Sequence, residues 1–174
     1  MSWTQLLTRE LESNYPIADQ LFDLVKDNEL AWKPATGSNW MTTGQLLMHV
    51  ATACGTCFRG FITGDWGMPE GMDVSEMSPE DMLPPAEKLP TVTSVAEAKT
   101  MLAADKKLAF EMLKKVSESD LENLKARAPW DTSDKILGHR LLEMIGHLVQ
   151  HKGQLYYYLK LQGKPVNTGH LWGM

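Results

Sequence analysis

Apolar residues along the chain fall into four stretches of helical spacing. The first holds Leu6, Leu7, Leu11, Tyr15, Leu21, Phe22 and Val25, largely at separations of three, four and seven, and predicts a helix over 4–27. Pro16 lies inside it. Proline lacks a backbone donor and crowds the preceding turn, so a kink or restart is expected there. Residues 30–40, with Pro, Gly, Ser and Asn, read as a connector. A second helix begins at Thr42 or Thr43, where Thr42-x-x-Gln45 matches a capping box, and runs to about Thr63, stopped by Gly64. Residues 64–93 are rich in Pro and show no helical period. A connection of that length is a lid, a packed crossover or a disordered strip, and Trp66, Met68, Met72, Met77 and Met82 predict that it packs on something. A third helix starts at Ser94 with a second capping box, Ser94-x-x-Glu97, and continues through Ala98, Leu102, Leu108, Met112 and Val116. A short turn over 117–131 leads to the last helix, about 138–162, which ends before Gly163 and Pro165. The pattern predicts one all-α domain over 1–174, a four-helix bundle with a long crossover loop between helices 2 and 3.

Composition changes this picture little. Of 174 residues 43% are hydrophobic and 22% charged, an ordinary globular balance with enough apolar material for a core. The net charge is −5 and no basic block stands out, which excludes a nucleic-acid face built to neutralise phosphates. No window approaches the length of apolar chain that crosses a bilayer, and the first residues lack the basic start and apolar run of a signal peptide. A cytoplasmic location with reduced Cys54 and Cys57 is expected. These cysteines share a helix side with Leu46, Val50 and Phe61, so they read as core residues rather than a redox pair or metal ligands.

The last helix carries the chemistry. His147 and His151 stand four residues apart, so both rings project on one face, a spacing that lets two imidazoles meet one metal ion. Arg140, Glu143, Gln154 and Tyr158 fall on the same line to within about 40°. Leu141, Met144, Leu148, Leu155 and Leu159 form an adjacent apolar face. A polar stripe beside a core face meets either solvent or a polar pocket inside the bundle, and the wheel does not choose between them. His49 bears on the choice. It lies in the apolar run QLLMHVATACG, on a line with Thr42, Gln45, Ala53, Thr56 and Gly60. These small or polar residues would leave a cavity around an imidazole, a way to build an open metal site. His139 lies around the wheel from the stripe and His170 in a Gly-rich tail; both read as structural or surface residues. Trp66 and Trp172, in loop and tail, are candidates to wall a pocket or a subunit contact.

The pattern Trp40-x-x-x-x-x-Leu-Leu-x-His49, followed by HLVQHKGQ at 147–154 and then Leu, Tyr, Leu and Gly-Lys-Pro, resembles the DinB-like superfamily over nearly the whole chain. That group includes proteins similar to bacterial low-molecular-weight-thiol transferases and mycothiol-dependent maleylpyruvate isomerases. The resemblance implies an up-down-down-up bundle with a nickel or zinc ion on His49, His147 and His151. Relatives often carry a histidine directly before the last ligand, where this chain has Gln150.

A three-histidine site leaves a coordination position open. The expected function is therefore a metal-dependent enzyme with a small-molecule substrate, activating a low-molecular-weight thiol for S-transfer or a water for hydrolysis. In that scheme Arg140 holds a substrate carboxylate and Glu143 acts as general base or orients a ligand histidine, although either side chain would equally form a surface ion pair. The competing class is a non-catalytic metal-containing stress-response or binding module. The apolar tail residues Leu171 and Trp172 and the Met-rich loop predict a homodimer.

Overall fold

Helix α1 (Trp3–Phe22) of the computed structural model opens at Ser2, whose hydroxyl accepts the Gln5 N–H. The structure describes residues 1–68, 77 and 84–174. The helix continues through Pro16 without a restart. Pro16 and Glu12 are both exposed, so the Glu12 carbonyl that loses its donor to proline lies where water replaces it. Apolar contacts of Leu11, Tyr15, Ala18 and Phe22 span the proline and hold both halves to one core. Beyond Phe22 the chain leaves the helix, and a short 3-10 turn (Asp27–Glu29) replaces the predicted final turn.

The predicted second helix is two helices. α2 (Thr43–Ala51) has the expected Thr42–Gln45 capping box, and α3 (Gly55–Thr63) ends at the left-handed Gly64. They meet at a bend of 43°. The carboxylate of Asp105, 4% exposed, lies at this break and accepts the N–H groups of Cys54, Gly55 and Thr56 at 3.4, 2.9 and 2.9 Å. A Cβ at Gly55 would come within 2.1 Å of the Asp105 carbonyl, so only glycine lets the two backbones approach this closely.

Asp105 sits on α4 (Val95–Leu113). Ser94 caps this helix, but the Glu97 carboxylate turns to the Thr93 N–H and hydroxyl at 2.6 and 2.7 Å instead of closing the predicted box. A one-and-a-half-turn helix, α5 (Glu118–Asn123), follows. The stretch read as a turn then forms an antiparallel hairpin, β1 (Lys125–Ala128) and β2 (Asp131–Ile136), with Lys125 opposite Ile136 and Ala128 opposite Asp131. The protein is thus mostly helical with a small two-stranded sheet, not all-α. The last long helix, α6 (Leu137–Leu161), and a short tail helix, α7 (Thr168–Trp172), complete the described chain.

Helices α1, α2 and α3 each pack on both α4 and α6, around a core that includes Leu7, Leu46, Phe58, Leu102 and Leu148. Among the described residues no single helix is long and apolar enough to cross a membrane. The tail folds back on α1 and α6, with Leu171 against the core and Trp172 exposed. Of the apolar residues in 64–93, Trp66 packs edge-on to Phe61 and Trp130, with ring centroids at 5.0 and 5.5 Å. Met72 and Met82 lie outside the described residues.

The hairpin has little apolar surface of its own; buried Ala126 and Ala128 are its inward residues. Arg140, 2% exposed, fastens it to α6. Its guanidinium donates to the carbonyls of Ala126 (3.1 Å) and Ser133 (2.6 Å) and to the carboxylates of Asp131 (2.7 Å) and Glu143 (3.0 Å). The Ser133 amide and this guanidinium hold Asp131 well below the usual carboxylate range. Arg140→Ala is expected to destabilise the fold on the order of 3 kcal/mol, the scale for removing one partner of a buried ionic network. The urea midpoint checks this; an unchanged midpoint would mean the hairpin needs no such clamp.

Candidate metal centre

The polar stripe of α6 faces the interior and meets a different partner along each third of its length. Arg140 and Glu143 take the hairpin. At the far end the Tyr158 hydroxyl, buried, donates to the Met41 carbonyl at 3.0 Å, and the ring stands edge-on to Trp32. Between them His147 and His151 meet His49 of α2. The three rings lie edge to face, with centroids 5.0, 4.3 and 4.7 Å apart, and one ligand atom from each falls within 4.8 Å of the others.

The ring nitrogens are sorted by their other partners. His147 Nδ1 is 3.2 Å from the Ala53 carbonyl, which accepts only, so Nδ1 carries the proton and Nε2 a lone pair. His151 Nδ1 is 3.0 Å from Gln154 Oε1, with the same result. His49 Nε2 and His147 Nε2 are 3.1 Å apart. Nitrogens about 2.0–2.1 Å from a tetrahedral ion stand about 3.3 Å from each other. The His49–His147 pair therefore stands at the spacing that an ion needs, and the three neutral imidazole nitrogens, within 4.8 Å of one another, are the right donor type for a divalent ion.

Burial, and after it the two neighbouring imidazoles, push His49 down to about 4. Burial also lowers His147 and His151, against the hydrogen bonds to Ala53 and Gln154 that raise them. All three rings are neutral near pH 7, the form that ligates.

Beside His49 lies a cavity of about 60 Å³ lined by Gln45, Met48, Thr52, Leu89 and Pro90. The Gln45 amide donates to the Leu89 carbonyl at 2.8 Å and ties the end of the long connection across α2. The small-residue line expected to open a cavity around His49 does so only in part. The helix break redirects Thr56 to Asp105, and Gly60 is covered by Trp66, whose ring a Cβ would meet at 2.3 Å.

Arg140 and Glu143 stand two turns and one turn before His147, and their hydrogen bonds run to the hairpin: Glu143 pairs with Arg140 and with Lys135. These contacts lower the Glu143 pKa against the opposing effect of its burial. Cys54 is buried and Cys57 half-buried; burial raises the Cys54 thiol and pushes Cys57 up to about 12. His139 lies 3.9 Å from Glu143, and His170 belongs to the cap of α7. Gln154 was on the predicted stripe without a role. The Ala53 carbonyl had no sequence signal, because a backbone acceptor is freed only by the break.

The DinB superfamily profile matches residues 10–155, a span that holds all three histidines. No curated protein matches the sequence. The crystal structure of a DinB-like protein from Bacillus cereus ATCC 10987 superposes with a TM-score of 0.62 at 18% identity, over 95% of this chain and 93% of that one. At that identity the likeness concerns the fold. With the profile spanning most of its length, the chain belongs to the DinB superfamily.

Proposed function

We propose that the protein holds one divalent ion, zinc or nickel, on His49, His147 and His151, and uses it as a metal-dependent enzyme on a small-molecule substrate. The observation that carries this reading is the commitment of two Nδ1 atoms to Ala53 and Gln154, which leaves Nε2 lone pairs beside His49. What the ion supplies when bound is Lewis acidity, which brings a water or a low-molecular-weight thiol toward its nucleophilic, deprotonated form near neutral pH. The chain's own residues set what arrives. The cavity of about 60 Å³ beside His49 has room for water or the thiol end of a larger molecule. Arg140 and Glu143 act in this reading by fixing the hairpin at the start of α6, since their charged atoms are engaged there. The same small cavity also suits a module that holds metal without turnover; thiol-conjugation turnover by the loaded protein separates the two. The reading includes an up-down-down-up order of the four long helical stretches.

Elemental analysis of protein reconstituted without an affinity tag is expected to give about one divalent ion per chain. His147→Ala should remove it, while double replacement of Cys54 and Cys57 by Ala should keep it and lower the melting temperature through lost packing. Retention of metal by His147→Ala would end the reading.

The depressed imidazoles give the pH dependence its sign. In the unfolded chain histidine takes up a proton near 6.5, whereas buried His49 resists until about 4. The unfolded state therefore binds more protons in this window, and metal-free protein loses stability as pH falls from 6.5 toward 4. Metal affinity, measured by chelator competition, should fall less between pH 7.5 and 6 than that of a site built from exposed histidines, because burial lowers all three rings. A loss over that range as steep as that of exposed histidines contradicts this.

Exposed Trp172, Tyr157 and Leu161 leave apolar surface on and near the tail, which supports a homodimer. Light scattering should give twice the 19.5 kDa chain mass, and a single-chain mass would refute it.

A further inference from the structure

Residues 53–56 join two networks. In an unbroken helix the N–H groups of Cys54, Gly55 and Thr56 would bond four residues back, and the Ala53 carbonyl would accept the Cys57 N–H. Instead Asp105 takes all three N–H groups, and its carboxylate also accepts the hydroxyls of Thr56 at 3.2 Å and of Tyr15 at 2.7 Å. The helical ladder resumes only with Phe58 on the Cys54 carbonyl, at 2.9 Å. The Ala53 N–H still reaches the Val50 carbonyl at 3.5 Å, but its own carbonyl is bonded by neither helix and meets His147 Nδ1.

We propose that Asp105, itself held by Tyr15, is a positioning residue for the metal centre: by keeping the α2–α3 break open it presents the Ala53 carbonyl that fixes the orientation and tautomer of His147. The proposal rests on the three-histidine metal reading. It gives a buried carboxylate on α4, which touches none of the three rings, a defined effect on one of them. The path is carboxylate to backbone N–H groups, break to free carbonyl, and carbonyl to Nδ1. Partners that orient a ligand histidine in this way are worth about 10–100-fold in metal affinity.

The experiment compares zinc affinity by chelator competition, and the His147 tautomer by nitrogen NMR of the metal-free protein, in wild type, Asp105→Asn and Leu7→Ala. Leu7 is a fully buried core residue of α1 outside this path, so its variant reports what lost stability alone does. Asp105→Asn is expected to lower zinc affinity about 10–100-fold and to shift His147 away from the Nδ1–H form, with helicity retained. Leu7→Ala should lower the melting temperature and leave affinity and tautomer unchanged. Wild-type affinity and tautomer in folded Asp105→Asn, or equal losses in Leu7→Ala, overturn the proposal. If Asp105→Asn does not fold, Tyr15→Phe carries the test, because it removes the hydrogen bond that holds the carboxylate against the three N–H groups and so loosens the cap on the break. Its affinity and tautomer must move the same way, and no movement overturns the proposal. His147→Ala separates the levels: zinc retained there refutes the metal site itself, whereas zinc lost there but kept by Asp105→Asn refutes only the positioning.

Discussion

A carboxylate buried among apolar side chains is costly unless donors surround it, and Asp105 obtains its donors by opening a helix. Three backbone N–H groups and two hydroxyls converge on it. The direction of α3 follows from that arrangement. Turned by 43° from α2, α3 brings Phe61 within reach of Trp66 and Trp130, at centroid distances of 5.0 and 6.1 Å. Trp130 lies in the loop joining β1 and β2. One buried charge thus governs the helix bend, the seat of the hairpin loop and the freedom of the Ala53 carbonyl.

The stripe along α6 shows how a helix carries polar residues inward without loss. Each group on it is answered from a different quarter: Arg140 by the hairpin, His147 by α2 and the break, Tyr158 by the connector before α2. Among the described residues no buried side-chain nitrogen or oxygen lacks a partner. That completeness gives the central histidines fixed ring orientations, since neither end of the helix can shift without stranding a buried donor or acceptor.

The parts legible in the sequence were those encoded within one turn or one helix. Thr42 and Ser94 announced helix starts, and His147 and His151 announced a shared face, because both signals depend on spacing alone. The wheel also found the Arg140–Tyr158 line but not what faced it, since a polar stripe looks the same toward solvent or a pocket. The break at 52–54 was hidden because its cause lies about fifty residues away, at Asp105. The hairpin was hidden because its inward residues are alanines and its fastening is an arginine on another element. Pro16 misled in the other direction, as packing on both sides of it outweighed one missing hydrogen bond.

His49 and His147 are 98 positions apart in the chain. The cluster therefore has no local precursor. A growing chain has made α1 to α4 and the hairpin before α6 appears, and until α6 docks His49 is a lone imidazole with weak hold on any ion. On the proposed metal reading, an ion would be acquired late, with the closing of the final helix. Such an ion would act as a clasp between α2 and the last long helix, adding to the barrier for their separation more than to the speed of their meeting.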